Sequence, residues 1–558
     1  LLLSLLRLLF KRPESSSAGR LSDAEREQQR MLVESLTIRA RSYIASAELS
    51  LAAKCLDDAL AIDPASEALL VLAGKVQLEM GDPEASLDHY TLAAHYQPSS
   101  WEAVSGQADA LEKVGRLERA SSLVAEFHKR NPLCSAAVLR LATVLRALQR
   151  IEDSVELLGE HLQRCPEDVF AMNLLGLILA REFNRLNEGA SYLRKALKIS
   201  PDLEMAKSNL AWVLAEAGQV SDSLSLIEEV LVRKPGDHET RLMRSLALLK
   251  AGKFRAGWSE YESRNESPTA SRRSVLLRTL EPAESIFAGQ IVVTAEQGLG
   301  DQIMFMSCLR DLCIDGVGGI LECDKRLVEL FRRSFPSFEV VAASTDDVLV
   351  KLASERNVRH RLPMGALPAR YRSELTDFPA HQGYLCADLN KRKRWRERLA
   401  LLGPGPYVGI SWKGGSVQTR TKLRSIPPSL WSGILGLQGQ FVSLQYGESD
   451  EDLDELSVQS GKTVHHWPEA IADYDETAAL VCELDLIVSV CTAVIHLGGA
   501  LGRPTWVLVP AVAEWRYLIR GTRMPWYPSV RLFRQAQGES WAEVMHRVVD
   551  LYRESRLG

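Results

Sequence analysis

The sequence predicts an α + α/β protein, with a helical solenoid over the first half and a tandem pair of parallel α/β domains over the second. Three observations carry this. Pro64, Pro98, Pro132, Pro166, Pro201 and Pro235 recur at steps of 34, 34, 34, 35 and 34 residues. A second series, Gly81, Gly115, Gln149, Asn184 and Gly218, stands 17 residues ahead of the prolines from Pro98 onward, and Gly252 continues it. Beyond about Glu281, short β-branched runs alternate with helix-length segments, the pattern of a parallel sheet.

The proline period is that of the tetratricopeptide repeat, a helix–turn–helix unit. Residues of the second series fall between paired helices, where the backbone must turn through left-handed angles. In the unit from Ala65 to Pro98, Leu70, Ala73, Gly74 and Leu78 share one helical face, and Leu87, Tyr90, Ala93 and Ala94 share the next. Small residues such as Gly74 and Ala93 let the helices approach closely. The pattern returns around Leu175 and Gly176 and around Leu210 and Ala211. Six units are expected from about Leu36 to Pro235, with a capping unit to about Ser267. In that cap, Phe254 to Arg264 (FRAGWSEYESR) carries aromatics placed to pack on the next domain. Such arrays bury their apolar faces by stacking and present a groove suited to a polypeptide; a rigid spacer is the alternative.

The expected division is residues 1–35 as N-terminal helix and linker, 36–267 as solenoid, and 281–390 and 403–558 as two α/β domains. The apolar start, LLLSLLRLLFKR, is too short to span a bilayer. It reads as a stray helix, with an interfacial anchor as the alternative, which leaves membrane association open. A net charge of −5 argues against nucleic-acid binding. Nine cysteines without a CxxC pair suggest a reduced, cytoplasmic protein rather than a disulfide or zinc scaffold.

In the second half, 290–295, 319–323, 339–342, 408–412, 441–445, 486–490 and 505–510 read as strands. Ser540 and Glu543 form a capping box for a terminal helix. The basic stretch Lys391 to Leu399 reads as a solvated linker helix with Trp395 and Leu399 on one face. Two such sheets in tandem suggest a cleft, with ligands bound beyond the carboxyl ends of the strands.

Three stretches carry chemistry. In EQGLGD, Gly298 and Gly300 permit close backbone approach and Asp301 stands at a helix start; an N-cap aspartate is the plainer reading. Lys413, Arg420, Lys422 and Arg424 crowd one loop with Gly414 and Gly415, which suits a phosphate or a solvated surface equally. In CTAVIHLGGALG, Thr492 can cap a helix whose free amides form an anion site, His496 follows one turn later, and Cys491 has no activating neighbour in sequence.

These elements together resemble the heptosyltransferase-like glycosyltransferases of the GT-B class. The resemblance rests on Gly300-Asp301, on Arg424 with Pro427 and Trp431, and on Thr492, His496, Leu497, Ala500, Leu501 and Gly502. It covers about Glu281 to Gly558. With its repeats, the chain is similar to bacterial repeat-bearing glycosyltransferases, some of which modify flagellins. One departure stands out: Cys491 occupies the position of an aspartate that helps hold the donor sugar in that family.

The resemblance implies two Rossmann-like domains, acceptor side then nucleotide-sugar side, and an inverting transfer that needs no metal and no cofactor beyond the nucleotide-sugar substrate. It implies Asp301 as proton acceptor, with Gly298, Gly300, Lys413, Arg424, Gln445, Cys491, Thr492 and His496 around the donor. The implied acceptor is a Ser or Thr hydroxyl of a protein held by the repeats, flagellin being one candidate. Rival readings are a non-catalytic scaffold keeping a relic nucleotide fold, and transfer to lipopolysaccharide or another glycan.

Overall fold

The computed structural model describes residues 22–266, 277–280, 291–414, 421–447 and 450–555. The apolar N-terminal run, the Ser/Arg linker over 267–276, Gly415 and Arg420 lie outside these residues. The chain divides into two compact units, Leu1–Ala206 and Lys207–Gly558. The last repeats thus belong to the same unit as the sheets, whereas the sequence suggested a solenoid separate to residue 267.

In the first unit, helix pairs follow the expected rhythm, beginning with Asp23–Ala45, which runs across residue 36, and Leu49–Ile62. The inter-helix residues are left-handed as anticipated: φ is +84° at Gly81, +75° at Gly115, +61° at Gln149 and +56° at Asn184. Each pair closes at a crossing of small residues. Ser86 donates to the carbonyl of Gly74 at 2.7 Å, and Ser154 to that of Ala142 at 3.0 Å. At the Gly176–Gly189 crossing, a Cβ on Gly189 would lie 2.5 Å from the Gly176 carbonyl oxygen, so only glycine fits. Ala108 and Ala120, both fully buried, hold the equivalent places.

The second unit opens with the same motif. Ser223 donates to the Ala211 carbonyl at 2.7 Å and Ser245 to that of Gly257 at 2.8 Å, while Gly218 and Gly252 both turn at φ +76°. Aromatics of the helix Phe254–Glu260 and the 3-10 turn Tyr261–Asn265 then pack on the α/β region. Phe254 lies 4.8 Å from Phe378 between ring centroids, and Trp258 meets Trp515 edge-on at 5.3 Å.

Two sheets follow. The first comprises β1 (Arg278–Thr279), β2 (Ile291–Thr294), β3 (Gly319–Cys323), β4 (Phe338–Ala342) and β5 (His360–Pro363), all parallel in the order β1-β5-β2-β3-β4. The second comprises β6 (Tyr407–Ser411), β7 (Gln440–Ser443), β8 (Val464–His465), β9 (Leu486–Val490), β10 (Thr505–Val509), β11 (Arg523–Met524) and β12 (Tyr527–Arg534). Its order is β11-β12-β10-β9-β6-β7-β8, parallel except for the edge pair β11–β12. The expected strands are present; β1, β5, β8, β11 and β12 were not anticipated. One apolar cluster runs from Leu249 through both sheets to Leu532, with the helix Leu299–Ile314 buried in it.

The basic stretch forms the helix Leu389–Ala400, with Trp395 and Leu399 buried on one face as expected. Its charges are not simply solvated. Lys391 reaches Asp473, Asp475 and Glu476, and Arg392 and Arg396 both bind Glu483 at 2.7 Å. The capping box at Ser540 is formed, with Glu543 accepting from the Ser540 backbone at 2.8 Å.

Candidate active site

In a parallel sheet the strand order reverses where successive crossovers wind to opposite sides, and the loops there leave a crevice. The reversal falls between β2 and β5 in the first sheet and between β6 and β9 in the second. The glycine loop follows β2; the basic loop and the Cys491–Thr492 turn follow β6 and β9. Gly298, Gly300, Asp301, Lys413, Arg424, Cys491 and Thr492 therefore lie on the loops, or on the first helical turn after β2, at the two switch points, whereas Gln445 follows β7.

The loop after β2 is firmly anchored. Glu296 accepts two hydrogen bonds from buried Arg264, at 3.1 Å from Nε and 2.7 Å from Nη2. Gln297 turns at φ +62° and its amide bonds the Tyr261 hydroxyl at 2.9 Å. Gly298 is the N-cap of the helix Leu299–Ile314, which places Asp301 inside the first turn rather than at the cap. The carboxylate still benefits from the helix dipole there. Gly300 marks a close helix crossing: a Cβ on it would meet His496 Cδ2 at 2.9 Å. Its glycine answers to packing against the helix Ala493–Ala500, not to a ligand.

Asp301 Oδ1 accepts from Arg516 Nη2. Arg516 sits on the 3-10 turn Trp515–Tyr517 that follows β10. Its Nη1 lies 2.7 Å from Glu514, and Glu514 in turn lies 3.6 Å from Arg424. Arg424 Nη2 donates to the Cys491 carbonyl. An ionic ladder, Asp301–Arg516–Glu514–Arg424, thus links the glycine-loop helix of the first sheet to the strand-end loops of the second. Burial opposes the charge on Arg516, but Asp301 and Glu514 outweigh it and hold the guanidinium protonated well beyond its ordinary range. Arg516 and Glu514 carry no sequence motif, and their distance along the chain from Asp301 hid them; the only signal was a run of aromatics and charge, AEWRY, just after a buried strand.

The other predicted residues have different roles. Lys413 turns to Asp452, 2.5 Å away, and Asp452 also accepts from Trp412 Nε1 at 2.9 Å. Gln445 is buried and its side chain is consumed by the strand-end loop. Its Oε1 accepts from Ser411 Oγ at 3.1 Å and from the amides of Trp412 and Lys413 at 3.0 and 2.9 Å. Its Nε2 donates to the carbonyls of Lys413 and Tyr446 at 3.1 and 3.0 Å. This fastening shapes the loop, where the sequence suggested a border to the nucleotide.

Thr492 is the N-cap residue of Ala493–Ala500, but its side chain makes no capping bond; its hydroxyl lies 3.2 Å from Ser489 Oγ. Cys491 is buried with its thiol 3.7 Å from the Leu508 carbonyl, and burial pushes that thiol up to about 11, unsuited to nucleophilic work. His496 is buried with Nδ1 3.1 Å from the Tyr527 hydroxyl. Burial, then the charges of Arg516 and Arg424, hold it well below the usual imidazole range, which fits a neutral packing residue.

A cavity of about 380 Å³ adjoins the ladder. Its walls include Trp212, Leu246 and Lys250 of the last repeats and Arg424, Glu514 and Trp515 of the second-sheet loops. Among the described residues, no three His, Cys, Asp or Glu side chains cluster as a metal site, and no helix is long and apolar enough to cross a membrane.

Comparison with known proteins places these features. The tetratricopeptide repeat family model matches residues 71–126, 105–169 and 139–204. Among solved structures, a tetratricopeptide repeat protein from Parabacteroides merdae is 18% identical, covering 43% of this chain and 95% of its own, with a TM-score of 0.36. A thermophilic repeat protein of Thermus thermophilus is 17% identical, covering 39% of this chain and 99% of its own, with a TM-score of 0.26. Protein FlbA of Caulobacter vibrioides is 30% identical over 506 residues, spanning 85% of this chain and 82% of FlbA. The match runs through repeats and sheets alike, and the chain belongs to the FlbA family.

Proposed function

We propose that this repeat protein is a glycosyltransferase, moving a sugar with inversion from a nucleotide-sugar donor to a Ser or Thr hydroxyl of a protein bound by its repeats. The observation that carries the reading is the convergence of Asp301 with Arg424, through Arg516 and Glu514, where the switch-point loops of two parallel sheets meet. Asp301 would take the proton of the acceptor hydroxyl as its oxygen bonds the anomeric carbon. The bond from that carbon to the donor phosphate breaks, and the arginines with the amides at Thr492 receive the departing charge. The resemblance noted in the sequence supports a metal-independent, GT-B-type arrangement and makes flagellin the first acceptor to examine.

Asp301→Asn keeps the shape and the Arg516 contact while removing the base. With purified chain, acceptor protein and a panel of nucleotide sugars, intact-mass spectrometry should show transfer by the wild type and a loss of roughly 100-fold or more in the variant. Undiminished transfer by Asp301→Asn would reject the assignment.

A scaffold without transfer is the second reading, and Cys491 favours it: a buried thiol cannot accept hydrogen bonds from sugar hydroxyls as a carboxylate does. Under that reading no nucleotide sugar stabilises the chain against heat.

A further inference from the structure

We propose that the cavity beside the ladder is the acceptor subsite, and that it holds an extended polypeptide segment by an apolar side chain next to the Ser or Thr that receives the sugar. The inference rests on the protein-acceptor reading above and adds where that acceptor lies and what it carries.

Two distant parts of the chain build the walls. On the repeat side stand the first helices of the last two hairpins, Glu204–Glu216 and His238–Lys250. Trp212 and Glu216 are one turn apart on the first, and Leu242, Leu246 and Lys250 follow one face of the second. Trp212 and Leu246 are 34 residues apart, as are Glu216 and Lys250, so the two helices offer the same face of the repeat. The other wall is Leu423 and Arg424, after β6, and the run Val512–Trp515, after β10.

The spacing of these walls is set by a plug. Ile519, just past the turn Trp515–Tyr517, packs against buried Ala215, Val220 and Ala247 of the repeats. Gly218 closes on it: a Cβ there would lie 3.3 Å from Ile519 Cγ2. The turn that carries Arg516 is thus fastened to the repeats on one side and to Asp301 on the other. Glu514 in the cavity wall meets Arg516, and Arg516 meets Asp301, so two ion pairs separate the wall from the proposed base. Side chains of an extended segment alternate between two faces. A residue beside the acceptor can therefore enter the cavity while the hydroxyl is turned out of it, toward the ladder.

The lining selects the occupant. Ten of the fifteen described lining residues are Ala, Val, Leu, Met or Trp, and Trp212, Leu242, Met243 and Leu246 are only half-buried, which leaves apolar surface for a partner to cover. Glu216, Glu239 and Glu514 stand against Lys250 and Arg424, a sum of −1 over the described lining, and Glu216 lies 3.4 Å from Lys250. As a whole this lining favours a neutral or basic peptide over a nucleotide.

Fluorescence anisotropy of the full-length chain with short labelled peptides tests the inference. Each peptide carries one Ser or Thr, flanked by Leu, Val, Gln or Asp. Peptides with Leu or Val beside the hydroxyl residue should bind roughly tenfold more tightly than those with Gln or Asp there. Ala215→Leu fills the cavity and Leu242→Ser makes its wall polar; each should abolish that preference. Thermal unfolding checks that both variants fold, and Ala215→Leu should melt no lower than the wild type, because it occupies empty space. Intact-mass spectrometry of the same peptides, and of flagellin, with a panel of nucleotide sugars follows transfer. A preference that persists in both folded variants overturns the subsite. Transfer to flagellin without binding of any peptide overturns the subsite while the transferase reading stands. Binding with the expected preference but no transfer from any donor keeps a polypeptide site and overturns the transferase reading. Neither binding nor transfer overturns both.

Discussion

Trp258 donates its indole N–H to the carbonyl of Arg372 at 2.9 Å, fastening the last repeat helix to the first α/β domain. The indole is 2% exposed and sits edge-on to Tyr261, Trp515 and Trp526. Trp258→Phe removes the donor and leaves a buried carbonyl short of a partner, at a cost of about 1–3 kcal/mol. Trp258→Ala adds a cavity and should cost about 3–5 kcal/mol. Urea unfolding followed by Trp fluorescence measures both; a Trp258→Phe midpoint equal to the wild type's would show that the hydrogen bond contributes nothing, and equal losses in the two variants would show that the ring's packing adds nothing to it.

Gly300→Ala sets two effects against each other. Alanine favours a helix by about 1 kcal/mol over glycine. Its Cβ would meet His496 Cδ2 at 2.9 Å, and that ring is buried and tied to Tyr527, so it has little room to retreat. Overpacking of this kind costs about 1–3 kcal/mol. Net destabilisation is expected, read as a lowered urea midpoint at unchanged slope.

His496 gives the fold a pH dependence. In the folded chain it titrates well below its ordinary 6.5, so below that pH the unfolded chain binds more protons than the folded one. The neutral-histidine contribution is complete above about pH 6.5 and is lost as pH falls from there toward the depressed folded value, by up to about 1.4 kcal/mol per unit. His496→Asn should flatten the stability profile between pH 6.5 and 5. A profile unchanged by the substitution would place the titration elsewhere, His381 being the next buried histidine shifted downward.

Gln445→Ala should cost stability rather than nucleotide affinity. The change strips the amides of Trp412 and Lys413 of their acceptor inside a buried loop, which is worth about 2–4 kcal/mol in all. Thermal unfolding and nucleotide titration of the same sample separate the outcomes. A large affinity loss with an unchanged melting temperature would return Gln445 to the binding surface.

The solenoid was legible because its constraint is local. A left-handed turn and a proline past the helix end recur at fixed intervals, and Gly81, Gly115, Gln149 and Asn184 all adopt the expected positive φ. Most of the four- and five-residue strands were legible as β-branched runs, but the eight-residue β12, reading Tyr-Pro-Ser-Val-Arg-Leu-Phe-Arg, was not, because proline, serine and arginine interrupt its apolar residues. β5, reading His-Arg-Leu-Pro, and the two-residue β1, β8 and β11 were not, since such short segments draw their pairing from neighbours and not from composition. In the site, Asp301 and Arg424 stood in recognisable patterns. Arg516 did not: its partnership depends on tertiary closure across 215 residues, which no window of sequence contains.

The small-residue crossings bear on how such a chain can change length. Each seal joins the two helices of one hairpin, as Ser86 to Gly74 or Ser223 to Ala211, and borrows nothing from the hairpin before or after it. Excision or duplication of one whole period would leave every remaining seal with both of its halves, whereas a cut ending between the halves, as between Gly74 and Ser86, would separate a hydroxyl from its carbonyl. The array is thus divided most simply in whole periods, and the hairpins on either side of a join then have only the contacts between hairpins to rebuild, such as that of Tyr90 against Gly106.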